Sequence, residues 1–516
     1  MLEDGKERRR AQLRGAASAA RWAVPLLAVV VLGIHARHFD FVCDDAFIAL
    51  REAQNLALHG APVYNLGERV EAATSPGWVI LLALGLLVRA PPVALLQGLS
   101  LASGALLVGV TWSLARRLLA ERLLAQVGVL VALVLTAPIA AWSAGGLEAC
   151  LFAATVTYVF VRIDVLDRER TPRAATLLGI ALALACLVRL EALLLVALSA
   201  LTLRGAGRRS VTRMLGTALA PVLLLTLFRL GYYGLPLPHT FYAKTGAFRA
   251  ALAAHGLRYA AFGVKELGLV ESLLLLASPF AVPASAAIWT SRVFVPAIVA
   301  YVIVVGGDFL DLFRFFVPLF PVLFVTCAAA GLALFERWRV SPAARLGLAL
   351  VVLSSHGARQ LALSARSLDV SDPRRLDVGI EPLGWTKMAA RDWSRTGKWL
   401  ASVAEPGDSL ATTAAGALPF FSGLPNYDLL GLAAPDVARD GALLWVRPGH
   451  TRIATVEQIE RRAPTFLHVA RSEGWGARGY QGVNVRVASD LEVHFFVRRD
   501  RAPSILARPD VRAVAP

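Results

Sequence analysis

The chain has 516 residues, of which 56% are hydrophobic and only 17% charged, and its mean hydropathy is +0.58. Soluble proteins carry about 25% charged residues, so this composition excludes an ordinary soluble protein and indicates a polytopic membrane protein with a polar portion. The net charge of +16 could suit nucleic acid. However, the arginines cluster in short loops between apolar segments, which the positive-inside rule explains, so we predict no nucleic-acid partner. The lipid bilayer and anionic lipid phosphates are the expected partners.

The chain begins with a basic stretch, residues 1–21, which we expect to form a cytoplasmic tail. An apolar segment over 22–35 follows and is predicted to be the first membrane span, although it is shorter than the roughly 20 residues usually needed. The stretch superficially resembles a signal peptide. No clear small-residue cleavage site follows it, and many apolar segments come later, which favours a retained span.

A pair of adjacent carboxylates, Asp44 and Asp45, lies in the polar loop over 37–76 that comes next. Neighbouring carboxylates repel each other, so one of them can have a raised pKa and be poised to accept a proton. An aspartate is also a common helix cap, and a helix is predicted over 46–57, directly after the pair. Taken alone, the two residues support a catalytic pair and a helix cap about equally.

Apolar segments continue as far as residue 364, and the basic loops between them indicate the topology. Because Lys and Arg concentrate on the cytoplasmic side, we place four basic loops there, which are 116–122, 162–173, 204–213 and 336–345. Because 174–203 lies between two cytoplasmic loops, it must cross the membrane twice as a hairpin of two spans. To keep the first loop outside and 116–122 inside, we let 77–89 lie in the membrane interface or form a re-entrant segment. The predicted fold class is a polytopic α-helical membrane protein with about 11 transmembrane helices, the N-terminus inside and the C-terminus outside.

Single spans are predicted over 123–141, 267–288 and 293–305, and an outer loop over 236–265. Past residue 364 the long apolar runs stop. Short strand-like and helix-like pieces separated by Gly and Pro predict a soluble, extracytoplasmic α/β domain over 365–516, following a transmembrane domain over 22–364.

By the same parity, most of the unusual polar residues face outside. Besides the acidic pair, they are Arg51, Glu68, Arg69, Glu71, Thr74, Ser75, Glu148, Arg189, Glu191, His239, Tyr242, Lys244, Asp308 and Arg314. Charged groups at membrane depth are costly and usually mark a substrate path. Taken singly, each residue could be an ion-pair partner or an interfacial anchor, and Arg189 with Glu191 suits a mutual pair. Six motifs facing one way favour a shared cavity.

Such a cavity would hold the groups needed for transfer chemistry. Carboxylates supply a base, while Arg and Lys supply a clamp for phosphate through charge-assisted hydrogen bonds. No Gly-rich nucleotide-binding loop occurs between a strand and a helix, so a sugar nucleotide or ATP is not indicated, and an outward-facing enzyme would need a lipid-borne donor. The alternatives are a transporter or flippase of a lipid-linked substrate, and a non-catalytic scaffold. Against transport, we find no internal repeat, and the charges gather at one membrane face.

Nine motifs occur in an order and spacing that together are specific. In the first outer loop they are DDAFIALR at 44–51, VYNLGERVE at 63–71 and TSPGW at 74–78. Later in the chain they are GLE at 146–148, PHTFYAK at 238–244, GGDF at 306–309, RFFVPL at 314–319, AAGALPFFSGL at 414–424 and DLLGL at 428–432. These motifs resemble GT-C glycosyltransferases, in the branch of the mycobacterial terminal β-(1→2)-arabinofuranosyltransferase and its uncharacterised bacterial relatives. The resemblance covers almost the whole chain.

The resemblance implies an inverting transfer of a sugar from a polyprenyl-phosphate donor to a glycan, lipid or protein of the cell envelope, at the bacterial plasma membrane. The sugar would be arabinofuranose, as in that branch, or another pentose or hexose. In such enzymes an acidic residue of the first outer loop deprotonates the acceptor, and this role falls to Asp44 or Asp45. Lys244, Arg189 and Arg314 are the candidates for holding the donor phosphate. Candidates for other substrate contacts are Arg51, Glu71, Thr74, Ser75, Glu148, Glu191, His239, Tyr242 and Asp308.

Two positions depart from the family pattern. The hairpin turn commonly reads Arg-Pro-Glu-Gly, whereas this chain has Arg189-Leu190-Glu191-Ala192, so the charges are kept and the tight turn is not. His239 stands where Asn is usual, which could alter a substrate contact. Some GT-C enzymes use a divalent metal beside the acidic pair and many do not. We predict no metal and no other cofactor, and the four cysteines have neither zinc-site nor redox spacing.

Overall fold

The structure is a computed structural model that describes residues 22–120, 122–244, 249–469 and 474–514. The predicted basic tail over 1–21 therefore lies outside the described residues. The first part of the chain is helical, with helices α1 (Trp22–Phe39), α2 (Asp44–His59), α3 (Pro76–Leu87), α4 (Pro92–Leu118), α5 (Leu123–Leu135), α6 (Ala137–Trp142), α7 (Ala149–Glu169), α8 (Pro172–Val188), α9 (Leu193–Thr202), α10 (Arg208–Tyr232), α11 (His239–Lys244), α12 (Arg249–Leu267), α13 (Leu269–Ala281), α14 (Ala286–Val304), α15 (Phe320–Arg337) and α16 (Pro342–Ser367).

The apolar helices confirm the predicted class of fold. Within the described ranges, seven helices are long and apolar enough to cross a membrane, and five shorter apolar helices accompany them. The buried helix α7 packs against α4 and α8, whereas α10 and α16 expose most of their apolar side chains at the periphery, as helices that face lipid do. The total of about 11 transmembrane helices remains a prediction.

Four predicted segments differ from the structure, and proline explains the difference in three of them. The span predicted over 123–141 is two helices, α5 and α6, because Pro138 occupies the first turn of a new helix. The spans predicted over 267–288 and 293–305 are instead α13 and α14, and the chain breaks beside Pro283 before the Ser285 hydroxyl caps α14. The outer loop predicted over 236–265 contains α11 and most of α12.

The last part of the chain is the predicted α/β domain. Its helices are α17 (Pro373–Val378), α18 (Leu383–Val403), α19 (Ala417–Ser422), α20 (Pro435–Asp440), α21 (Val456–Arg462) and α22 (Ala502–Leu506). Its strands are β1 (Leu410–Thr412), β2 (Asn426–Asp428), β3 (Ala442–Arg447), β4 (His450–Ile453), β5 (Phe466–His468), β6 (Tyr480–Ala488), β7 (Leu491–Arg498) and β8 (Val511–Ala513).

Six strands form a mixed sheet in the order β2-β1-β5-β7-β6-β8. Strand β1 runs parallel to β2 and β5, and the remaining pairs are antiparallel. Helix α18 covers one face, where Trp399 and Leu400 pack against buried sheet residues such as Phe466 and Phe495. Strands β3 and β4 stand apart as a two-stranded hairpin, whose position is important for the site.

Helix α2 joins the α/β domain to the membrane helices. The buried guanidinium of Arg51 donates hydrogen bonds to the carbonyl oxygens of Tyr64 (2.8 Å), Pro419 (2.7 Å) and Leu424 (2.8 Å), and to Asn65 Oδ1 (3.1 Å). The Tyr64 hydroxyl donates to the Ala415 carbonyl at 2.6 Å. Because these groups are buried and mutually satisfied, the first loop and the segment 415–424 form one unit.

The loop over 306–313 is held in an unusual conformation by a buried ion pair. Leu312 and Phe313 have φ values of 58° and 46°, in the left-handed region that costs non-glycine residues about 1 kcal/mol or more each. Arg375 Nε lies 2.5 Å from Asp311 Oδ2 in this loop, and both side chains are fully buried. Arg375 also pairs with Asp372, while the Trp142 indole donates to the Leu312 carbonyl at 2.9 Å. The surroundings thus fix the loop that carries Asp308 and leads to Arg314.

Candidate active site

Two clefts meet beside the acidic pair. The first, which we call the Arg189 cleft, has a volume of about 360 Å³ and is lined by Ala149, Phe152, Arg189, Glu191, Ile298, Tyr301, Arg314, Phe315 and Pro318. The second, the Asp45 cleft, has a volume of about 480 Å³ and lies between the membrane helices and the α/β domain. Its lining residues include Asp44, Asp45, Phe309, Glu381, Trp385, Trp393, Arg447 and His450. Arg314 lines one cleft and Asp45 the other, and Arg314 Nη2 lies 3.9 Å from Asp45 Oδ2.

The two members of the acidic pair have different surroundings. Asp44 Oδ1 accepts a hydrogen bond from the backbone N–H of Ala417 at 2.7 Å, at the start of α19. Asp44 thus binds the start of a helix in the α/β domain, whereas α2, which begins at Asp44, has no side-chain cap. The Asp45 side chain is 30% exposed and faces Arg314. Both carboxylates line the Asp45 cleft, and Asp45 is the one beside Arg314.

Burial raises the pKa of Asp44 to about 7, against the hydrogen bonds from Ala417 and Gly416 that lower it. Since this pKa is above that of an unfolded Asp, the folded state disfavours the ionised form, and stability should fall as the pH rises from about 4 to about 7. The effect amounts to at most about 4 kcal/mol.

We expect the unfolding temperature of the wild type to fall between pH 5 and pH 8, and that of Asp44→Asn to fall less, as thermal unfolding in detergent would measure. Equal pH dependence in both proteins would contradict this origin.

Two arginines face the Arg189 cleft, and each has carboxylate partners. Arg314 Nε lies 2.5 Å from Asp308 Oδ2. Arg189 lies 2.8 Å from Glu148 and 2.5 Å from Glu191, through Nη1 and Nε. The Phe315 ring lies beside both guanidinium groups, at 5.2 Å from that of Arg189 and 5.4 Å from that of Arg314. The carboxylates and the ring orient both cations while leaving them at the cleft surface, an arrangement that can bind an anion.

Lys244 is the third cation of this region. It ends α11, which is anchored because the His239 N–H donates to the Glu71 carbonyl at 3.0 Å and the Thr240 hydroxyl to the Ala72 carbonyl at 2.5 Å. Lys244 is exposed, and it interacts electrostatically with Asp45, Arg314, Asp308 and Arg189. In the part of the chain that the structure describes, Lys244 forms no ion pair within 4 Å.

A group of residues from the α/β domain completes the Asp45 cleft and was not predicted from the sequence. They are Glu381, Trp385, Trp393, Arg447 and His450. Arg447 pairs with Glu381, and burial lowers its pKa to about 10 despite the charges of Asp45 and Asp308. The pKa of His450 is lowered to about 3 by burial and by Arg447, so this imidazole is neutral at pH 7. The only sequence signal was the Pro448-Gly449 pair, which indicates a turn but not what the turn approaches.

Three of the predicted substrate contacts, Arg51, Glu71 and Ser75, have protein partners in the structure. Arg51 is fully engaged by the loop and α19, as described above. Glu71 accepts two hydrogen bonds from the buried Arg229, at 2.7 and 2.8 Å, and the Ser75 hydroxyl donates to the Val188 carbonyl at 2.7 Å. None of the three lines either cleft. Their polar groups have protein partners, and these contacts connect the first loop to the rest of the chain.

Three other predicted contacts also lie outside the two clefts. Thr74 is exposed, and the Tyr242 ring packs edge-on against Phe241. His239 is buried, and its ring lies against the backbone of Gly431 and Ala434. The structure brings together Asp44, Asp45, Glu148, Arg189, Glu191, Lys244, Asp308 and Arg314, of which Glu148, Lys244 and Asp308 lie beside the clefts without lining them. The described residues contain no group of three or more His, Cys, Asp or Glu that could hold a metal ion, and all four cysteines are free.

Comparisons with known proteins identify the class to which this fold belongs. The chain superposes on ArnT from Cupriavidus metallidurans, solved with undecaprenyl phosphate bound, with a TM-score of 0.59 over 93% of this chain and 98% of that one, at 15% identity. It also superposes on the oligosaccharyltransferase of Archaeoglobus fulgidus, solved with a tethered acceptor peptide, with a TM-score of 0.52 over 93% and 74%, at 12% identity. The chain has the fold of the GT-C glycosyltransferases.

Sequence comparison points to one branch of that class. The chain is 32% identical over 242 residues to the terminal β-(1→2)-arabinofuranosyltransferase of Mycobacterium tuberculosis, and 30% identical over 330 residues to that of Corynebacterium glutamicum. The matches cover 44% and 55% of this chain, and 38% and 47% of the two relatives, so less than half of each relative is matched. A family described as a domain of unknown function, DUF8728, matches residues 384–505. The predicted resemblance is thereby confirmed.

Proposed function

We propose that this chain is an inverting membrane glycosyltransferase that uses a polyprenyl-phosphate sugar as donor and a hydroxyl group of a cell-envelope molecule as acceptor. The observation that carries the proposal is the junction of the two clefts, where Asp45 of one lies 3.9 Å from Arg314 of the other. A base and an anion-binding cation are thus adjacent but belong to separate cavities. Such an arrangement would hold a donor and an acceptor next to each other, and holding reactants in place lowers the barrier to transfer between them.

The donor would bind in the Arg189 cleft. Its phosphate would meet Arg189 and Arg314, with Lys244 beside the cleft, and charge-assisted hydrogen bonds from these cations would bind the phosphodiester and stabilise the second negative charge that develops as the sugar leaves. Phe152, Tyr301 and Phe315 give the cleft apolar walls for a prenyl chain. In support, the structural relative ArnT was solved with undecaprenyl phosphate bound. Arabinofuranose is the first candidate for the sugar, because both curated relatives are named for its transfer.

The acceptor would bind in the Asp45 cleft, with Asp45 as the general base. Asp45 would remove the proton of the acceptor hydroxyl as its oxygen attacks the anomeric carbon from the face opposite the phosphate. The new carbon–oxygen bond forms while the bond to the phosphate oxygen breaks, and polyprenyl phosphate leaves with the electron pair. The configuration at the anomeric carbon inverts. The proton on Asp45 then passes to solvent.

We also propose the membrane arrangement that this chemistry needs. Residues 22–364 would form the transmembrane domain, with the first outer loop at 37–76, and 365–516 would form an extracytoplasmic domain over the active site. The basic tail, 1–21, would face the cytoplasm of a bacterium, in its plasma membrane. The distribution of basic loops supports this orientation.

The direct test supplies purified full-length protein with polyprenyl-phosphate arabinofuranose and polyprenyl-phosphate hexoses, together with a panel of saccharide, lipid and peptide acceptors. We expect one donor to yield a glycosylated product by mass spectrometry, with release of polyprenyl phosphate. If no donor is consumed, while protein reconstituted in liposomes moves a lipid-linked sugar across the bilayer, the chain is a transporter and the proposal is wrong.

Lys244 offers a test of the donor site. Lys244→Gln is expected to raise the KM for the donor by about 10- to 100-fold, because a charge-assisted hydrogen bond to phosphate is lost. Lys265→Gln is a matched control, since Lys265 is an exposed lysine near the end of α12. Steady-state kinetics with varied donor measures both. An unchanged donor KM in the Lys244 variant would remove this residue from the phosphate site.

A further inference from the structure

The β3–β4 hairpin of the α/β domain projects its tip into the site. Its turn, Pro448-Gly449, lies between the two strands, and Gly449 has a φ of +79°, which a residue with a side chain rarely adopts. A Cβ atom at Gly449 would lie 3.4 Å from Lys244 Cε, so the turn packs along the lysine. The ring of His450, directly after the turn, meets Phe309 edge-on at 5.0 Å. The tip therefore lies over both Lys244 and the loop 306–313.

Arg447, directly before the turn, is held rigidly. Its guanidinium group lies 4.2 Å from the centre of the Phe309 ring and pairs with Glu381. The Glu381 N–H in turn donates to the Phe309 carbonyl at 2.7 Å. Arg447 Nε also donates to the His450 ring at 3.3 Å, so Phe309, Glu381 and His450 together orient the guanidinium group. The Arg447 side chain remains 22% exposed, toward the Asp45 cleft. An arginine that is oriented by a ring and a carboxylate, yet still accessible, can present N–H donors to a ligand at little entropic cost.

The rest of the Asp45 cleft indicates the kind of ligand. Its charged lining consists of three carboxylates, Asp44, Asp45 and Glu381, against the single cation Arg447. This balance disfavours a ligand that carries phosphate at its reacting end. Trp385 and Trp393 meet edge-on, with ring centres 5.9 Å apart, and both are partly exposed at the cleft. Aromatic rings beside carboxylate acceptors and an arginine donor suit an uncharged sugar ring with its hydroxyl groups.

We propose that Arg447 is an acceptor-binding residue that donates hydrogen bonds to an uncharged sugar ring and turns one of its hydroxyl groups toward Asp45. This inference rests on the proposed function, since it names the residue that selects the acceptor of that reaction. Arg447 lines the Asp45 cleft and not the Arg189 cleft, so its direct contacts would be with the acceptor. The α/β domain thus contributes to acceptor choice directly.

The test compares Arg447→Gln, Arg447→Lys and the control Arg452→Gln in full-length protein. Arg452 lies on β4 of the same hairpin and donates to the Gly441 carbonyl at 3.0 Å, away from the cleft. The probes are an alkyl arabinofuranoside, an alkyl glucopyranoside and the phosphorylated form of each, with whichever polyprenyl-phosphate sugar the wild type uses. We expect Arg447→Gln to raise the KM for an uncharged acceptor by about 10- to 100-fold and to leave the KM for the donor within about twofold.

The outcomes separate this inference from the proposed function. A wild type that transfers no sugar to any probe contradicts the proposed function itself. If the wild type is active and Arg447→Gln changes the donor KM instead, or changes neither KM, Arg447 does not bind the acceptor. Preference of the wild type for a phosphorylated probe would also overturn the inference. A similar loss in Arg452→Gln, with an equally lowered unfolding temperature, would show that hairpin stability is responsible.

Discussion

Asp45→Asn is expected to lower the rate of sugar transfer by about 10²- to 10⁴-fold, because the general base is removed while the shape of the side chain is kept. Asp44→Asn is expected to retain most of the activity, since an Asn oxygen can still accept the hydrogen bond that Ala417 donates at 2.7 Å. The two variants change neighbouring carboxylates, of which only Asp45 is proposed to act as the base. Transfer assays at saturating donor and acceptor, with the wild type alongside, measure both.

The opposite pattern would be equally informative. If Asp44→Asn abolishes transfer and Asp45→Asn does not, the base is the carboxylate bound to α19, and its pKa of about 7 becomes part of the mechanism. If neither variant loses activity, the acidic pair is not the base. Binding of donor to each inactive variant, measured separately, distinguishes loss of chemistry from loss of binding.

Arg375→Met is expected to destabilise the protein by about 3–5 kcal/mol, because it leaves the buried carboxylate of Asp311 without its partner. Transfer activity is expected to fall as well, since the loop that Asp311 holds carries Asp308 and leads to Arg314. Adding Asp311→Asn to Arg375→Met should recover part of the stability, because the uncompensated charge is removed. Denaturant or thermal unfolding in detergent measures the single and double variants.

A surface pair provides the control for this prediction. Arg395 lies 2.6 Å from Asp490 with both side chains substantially exposed, at 32% and 56%. An exposed pair of this kind contributes about 1 kcal/mol or less, so Arg395→Met should change stability little. If Arg375→Met proves no more destabilising than Arg395→Met, the buried pair does not hold the loop.

Composition and motif order predicted much of this molecule because each depends on local sequence. Long apolar runs predict membrane helices, and their end near residue 364 matches the last residues of α16. The positions of Arg189, Lys244, Asp308 and Arg314 near the acidic pair followed from the parity of the loops and the resemblance together. Helix breaks at Pro138 and Pro283 were missed because apolar segments continue across them, and hydropathy does not register a change of direction.

The partners of individual side chains were less predictable. Arg51 and Glu71 are of residue types that often occur in binding sites. Only the fold shows that Arg51 donates to backbone carbonyls and that Glu71 accepts from Arg229. Arg447 lies more than 400 residues after Asp45 in the chain, within a strand of ordinary composition. No local pattern indicates that its hairpin reaches the Asp45 cleft, because that contact depends on how the α/β domain sits on the membrane helices.

The hydrogen bonds between α2 and the segment 415–424 determine which residues of that segment can be substituted. Asp44 and Arg51 hold backbone groups of that segment, not its side chains, so residues there can change while the contact persists. Gly416 is an exception, because a Cβ atom at this position would lie 2.1 Å from the Asp44 carbonyl oxygen. The α/β domain is therefore not a detachable module. Transplanting it onto a related membrane domain would bring half of the Asp45 cleft with it, so acceptor preference and the geometry around the base would be exchanged together.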